Sequence, residues 1–65
     1  MKLSIPDMTC GHCKAVVERT IIDLDSNADV VVDIAAHTAE IATTAAPEAI
    51  LTALKAEGYL AERIG

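Results

Sequence analysis

The sequence predicts one small α+β domain with the ferredoxin-like order βαββαβ, in which two helices cover one face of a four-stranded antiparallel sheet. Three observations carry that expectation. Apolar residues recur at helical spacing in two stretches, they alternate with period two in the stretches around them, and 65 residues leave room for one domain only. Residues 1–65 are therefore expected to form a single domain.

The first element is Lys2-Leu3-Ser4-Ile5, which alternates polar and apolar and stops at Pro6, as a short half-buried strand does. Pro6-Asp7 opens a loop. From Gly11 to Leu24 the apolar positions Cys13, Val17, Ile21 and Leu24 recur at steps of four, four and three, while Lys14, Glu18, Arg19 and Asp23 fall on other faces. That spacing predicts an amphipathic helix whose first turn contains the cysteines, closed by the turn-forming Asp25-Ser26-Asn27. From Asp29 to Ala35 the period changes to two, with Val30, Val32 and Ile34 on one side and Val31 and Asp33 on the other. A turn at Ala36-His37-Thr38 leads into a second strand, Ala39 to Thr43, and the pair makes a hairpin. Pro47 suits the first turn of a second helix, which runs to about Glu57 through Ile50, Ala53 and Leu54, although Ala46 is a poor cap for it. Gly58 fits a left-handed residue just past its end, and Tyr59 to Ile64 is the expected last strand. In this topology the loop after the first strand, the turn near His37 and the segment before Tyr59 all meet at one end of the sheet.

The core available to such a domain is thin. Twelve residues are Ala and 17 are Ile, Leu or Val, with no Phe or Trp. A chain this short buries only about 60% of its unfolded surface, so a bound metal is a useful source of stability. Ten acidic against five basic residues give a net charge of −5, the wrong sign for gripping nucleic acid phosphates. No apolar run approaches a membrane span, and the first six residues are too short for a secretory signal, so the chain reads as cytoplasmic. Reducing cytosol opposes a structural disulfide, and one joining Cys10 to Cys13 closes too small a loop to stabilise much.

The chemistry concentrates in Met8-Thr9-Cys10-Gly11-His12-Cys13. Two thiols separated by two residues turn their sulfurs onto one soft ion, and thiolates select Cu(I) or Zn(II) over Mg(II) or Ca(II). A helix N-terminus beside Cys13 favours its thiolate, and Gly11 lets the loop bend. A closed zinc site wants four ligands, so zinc here needs His12, a carboxylate, water or a second molecule. Cu(I) tolerates two sulfurs, and its open site admits a third thiolate, which suits a carrier. His12 reads first as an exposed spacer, Met8 as core support with a thioether near the site, and Tyr59 as either packing or a shield beside the sulfurs. His37 reads as an ordinary turn residue, and Asp23, Asp25, Asp29 and Asp33 as a solvated face and turn.

The hexapeptide resembles the metal loop of heavy-metal-associated (HMA) domains, the family of bacterial copper chaperones. Val17, Ile21, Leu24, Val30, Val32, Ile34, Ile41, Ile50, Ala53 and Gly58-Tyr59 extend the resemblance over nearly the whole chain, whereas Ser26-Asn27 departs from a frequent Gly-Val pair. The resemblance implies a cytosolic protein that binds Cu(I) through Cys10 and Cys13 and passes it to a copper-transporting P-type ATPase. It also implies that Met8 packs under the loop and that Tyr59 lies near the site, as in many free-standing chaperones. An initiating Met1 agrees with that form over a segment of an ATPase. Without the partner, two copies are expected to share copper as a bridged homodimer.

Two rivals accompany this reading. A zinc-, cadmium- or mercury-binding HMA protein keeps the fold and changes the ion; zinc members often carry an acidic residue before the first Cys, where this chain has Thr9. A thiol-disulfide oxidoreductase keeps the Cys-x-x-Cys chemistry, since Cys10-Gly11-His12-Cys13-Lys14 also resembles the active site of protein disulfide isomerases. That fold needs about a hundred residues and a βα unit before the motif, whereas nine residues precede Cys10 here. A non-enzymatic carrier is the expectation.

Overall fold

The computed structural model describes all of residues 1–65. Its elements are β1 (Lys2–Ser4), α1 (Gly11–Leu24), β2 (Asp29–Asp33), β3 (Thr38–Ala42), α2 (Pro47–Ala56) and β4 (Glu62–Arg63). The strands lie in the order β2-β3-β1-β4, with every neighbouring pair antiparallel. This is the ferredoxin-like fold the sequence predicts.

Register follows from the alternation. Leu3 lies opposite Ala39, and Ala39 opposite Val32, while Ile41 faces Val30. Those positions share the helix-covered side of the sheet, so Leu3, Ala39 and Ile41 are buried. Val31 and Glu40 pair on the opposite side, where Val31 is 68% exposed. From above, α1 contributes Val17 and Ile21 and α2 contributes Ile50 and Leu54, all fully buried, with Ile5, Met8 and Ala28 completing the core. Each large aliphatic side chain so enclosed is worth about 1.5–3 kcal/mol.

Several boundaries differ from the sequence reading, each for a local reason. β1 ends at Ser4, because Ile5 leads directly into a turn in which its carbonyl accepts the Met8 amide at 3.0 Å across Pro6-Asp7. Proline's fixed φ suits the second position of such a turn. β2 stops at Asp33, since Ile34 to His37 form the hairpin turn, with the Ala36 amide donating to the Asp33 carboxylate at 3.1 Å. Thr38 consequently starts β3 and does not lie in the turn. β4 is only two residues, because Tyr59 to Ala61 take no part in the ladder, although hydrogen bonds to β1 continue from the Ile64 amide to Lys2 O at 2.8 Å and from the Lys2 amide to Gly65 O at 3.1 Å. Leu24 is 44% exposed, not buried, because the last turn of α1 runs past the core.

Helix α2 closes as the sequence implies. Gly58 takes φ 92°, the Gly58 amide donates to Lys55 O at 2.9 Å, and the Tyr59 amide donates to Leu54 O at 2.9 Å. This is a Schellman closure, which needs a left-handed residue at the glycine position. It also directs Tyr59 back to the end of the sheet that carries the cysteines.

Candidate metal site

Three connections build the site. The β1–α1 loop supplies Met8, Thr9 and Cys10; the first turn of α1 supplies Gly11, His12 and Cys13; the α2–β4 connection supplies Tyr59. Cys10 is the N-cap of α1, in extended backbone with no side-chain cap bond, so its thiol is left free of a capping role. Met8 anchors the loop from below, fully buried in the core.

The two sulfurs lie 3.5 Å apart, within hydrogen-bonding reach. Both cysteines are free thiols, Cys10 exposed and Cys13 half-buried. A phenol hydrogen bond from Tyr59, then a backbone bond at Thr9, then the Cys10 thiol hold the Cys13 thiol down to about 7, from its ordinary 9.0, against the opposing effect of burial. The same contact with Cys13 pushes the Tyr59 phenol up, with burial as the next cause. A thiolate at the positive end of a helix is therefore accessible near neutral pH.

His12 is exposed on the first turn of α1. No group of three or more His, Cys, Asp or Glu side chains gathers anywhere in the chain, so the cysteine pair is the densest set of soft donors it presents. The hairpin turn also reaches this end. His37 has a left-handed backbone at φ 57°, its carbonyl accepts the Ile5 amide at 2.7 Å, and its Nδ1 lies 3.0 Å from the Met8 carbonyl oxygen. Read from sequence, His37 is an ordinary turn residue. The topology signalled proximity to the cysteines, but nothing in the local sequence signalled the contact to Met8.

Sheet order, antiparallel pairing and a thiol pair at the head of the first helix define a small domain of the ferredoxin-like class with an exposed two-sulfur site. The heavy-metal-associated domain model matches residues 2–59, and the chain belongs to that family. Among solved structures it is similar to a gold-binding protein, 39% identical over 94% of each chain with a TM-score of 0.91. It is similar too to the copper chaperone Atx1 from Synechocystis PCC6803, 27% identical over 95% of this chain and 98% of that one, with a TM-score of 0.92. Agrobacterium tumefaciens Atu1203 is 30% identical over 92% of this chain and 94% of that one, with a TM-score of 0.83. No curated protein matches the chain. No helix is long and apolar enough to cross a membrane.

Proposed function

We infer that the chain is a cytoplasmic Cu(I) metallochaperone, a single HMA domain across residues 1–65 that carries copper as cargo on Cys10 and Cys13. The observation that carries this reading is the pair of free thiols 3.5 Å apart at an exposed helix head, one of them lowered to about 7. Two thiolates satisfy Cu(I), whereas tetrahedral zinc needs two further ligands that no neighbouring His, Asp or Glu provides. Similarity to the Synechocystis copper chaperone supports the same ion.

Delivery follows from the open coordination. A thiolate of the acceptor adds to the two-coordinate ion, one Cu–S bond to Cys10 or Cys13 breaks, and a second exchange completes transfer. Copper stays Cu(I) throughout, and no bond to carbon is made, so the chain is a carrier and not an enzyme. The acceptor we propose is the cytosolic metal-binding domain of a copper-transporting P-type ATPase. In its absence, thiolates of a second copy fill the open positions and bridge two chains through copper. A point mutant of the Synechocystis relative is described in a trimeric Cu1 form, which supports association between copies in this family without fixing their number. Tyr59 shields the pair on one side, and Met8 supports the loop from within the core.

The gold-binding relative favours a second reading, in which the cargo is another soft monovalent ion held by the same two sulfurs. An anaerobic competition titration of the reduced protein against chromophoric chelators, with Cu(I), Au(I) and Zn(II) offered separately, decides between them. The expected result is one tightly held Cu(I) per chain and weak Zn(II). Stronger holding of Au(I) establishes the second reading, and preference for Zn(II), or no tight binding, overturns both.

A further inference from the structure

The turn that launches the cysteine loop is held at both ends by one distant residue. Its first residue, Ile5, donates its amide to the His37 carbonyl at 2.7 Å, and its last, Met8, has its carbonyl 3.0 Å from His37 Nδ1. A carbonyl only accepts, so Nδ1 carries the proton in that bond. Between these points lie Pro6 and Asp7, and two residues beyond Met8 lies Cys10. The contact spans 29 positions in sequence, so it ties the β2–β3 hairpin to the loop.

The backbone of His37 points the same way. It is the one non-glycine residue with positive φ, at 57°. Glycine is the residue that meets this conformation without strain, and Asn, Asp and His tolerate it better than most side chains. Glycine there keeps the backbone and the bond from Ile5 but has nothing to hold Met8.

We propose that His37 is a positioning residue for the cysteine pair: its Nδ1–H fixes the Met8 peptide and so holds the loop in the form that brings the Cys10 and Cys13 sulfurs together. The inference rests on the cysteine pair being the metal site. His37 touches neither sulfur and acts through the Met8 peptide, as groups behind metal ligands do when they orient them.

Two substitutions separate backbone from side chain. His37→Gly keeps the left-handed turn and removes the donor. His37→Asn tolerates the same φ and places an amide N–H as many bonds from the backbone as Nδ1. In the reduced, metal-free protein, hydrogen exchange of the Met8 amide, which donates to Ile5 O within the turn, is expected to quicken about tenfold in His37→Gly, with exchange at Val17 and Ile21 unchanged, as loss of one hydrogen bond predicts. Cu(I) affinity is expected to fall about tenfold, the lower range for such outer groups. His37→Asn is expected to restore both. Loop exchange and affinity within twofold of wild type in His37→Gly overturn the proposal, as does His37→Asn behaving like His37→Gly. A uniform rise in exchange through α1 overturns it too, since that marks general destabilisation. Exchange is read without metal, so a wild-type protein that holds no Cu(I) overturns the copper reading while the exchange comparison still decides the role of His37.

Discussion

The two ends of the sheet handle their polar groups in opposite ways. At the end away from the cysteines, the Asp25 carboxylate accepts the Thr43 hydroxyl at 2.6 Å, the Thr44 amide at 3.3 Å and the Asn27 amide at 3.0 Å. One side chain thereby ties the α1–β2 connection to the β3–α2 connection, and those donors hold its carboxyl below the usual range, the Thr43 hydroxyl first. At the other end, the N-cap of α1 is a cysteine that caps nothing. The sulfurs there lie against each other, the Tyr59 phenol acts on the Cys13 thiol, and Cys10 remains exposed. The comparison teaches that this fold stitches one end for stability and leaves the two thiols of the other end without a structural bond to make, as the proposed carrier role requires. A conventional Ser or Asp cap at position 10 strengthens the helix by about 1 kcal/mol and removes one of the two proposed ligands.

If that division holds, substitutions at the two ends have separable effects. The largest is expected for Cys10→Ser and Cys13→Ser, each weakening Cu(I) by more than about 100-fold, since even outer-shell changes reach that order. Chelator competition measures it, and metal-free Cys10→Ser, which gains a capping hydroxyl, should unfold no lower than wild type and up to about 4–8 °C higher. Wild-type Cu(I) binding in either variant breaks the two-thiolate site.

Next comes Asp25→Ala, expected to lower the unfolding temperature clearly while leaving Cu(I) affinity unchanged. The same contact has a pH signature. Because folding lowers the Asp25 pKa, its contribution is complete above the unfolded value of about 3.9 and is lost as pH falls through the lowered folded value. Denaturant titrations from pH 6 to pH 2 should show wild type losing stability relative to Asp25→Ala in that acid range alone. A constant difference across the range means the carboxylate charge is not what holds the far end together.

The smallest effect sharpens the cysteine end. Alkylation of Cys13 by iodoacetamide, followed by peptide mass spectrometry, is expected to show a midpoint near pH 7, with reaction slowing as pH falls and the thiolate is protonated. Tyr59→Phe removes the phenol that does most to stabilise the Cys13 thiolate, so the midpoint moves up toward 9.0. An unmoved midpoint assigns the lowering to the backbone and the neighbouring thiol instead.

Much of the fold is legible in the residues. The α1 span matches its spacing from Gly11 to Leu24, and the alternation of Ala39 and Ile41 with Glu40 and Ala42 gives the buried and exposed sides of β3. Gly58 is the left-handed stop that its place after α2 implies. Short apolar alternation is a weaker guide where a strand ends. Ala35 continues the pattern of β2, yet the ladder stops at Asp33 because pairing depends on where the chain turns into β3. Leu24 keeps helical spacing and still emerges, since spacing specifies a face and not how far the core beneath it extends.

By itself the sequence determined the class of domain, the order of its elements, and the pair of soft donors at the head of the first helix. These follow from periodicities and a spacing that act over a few residues, where covalent geometry is decisive. Only the tertiary structure decided that Asp25 closes the far end, that Tyr59 stands beside Cys13, and that His37 grips the Met8 peptide. Each of those contacts joins residues 18 to 46 positions apart, and at that range the partner is chosen by how helices and strands pack, which no local pattern encodes.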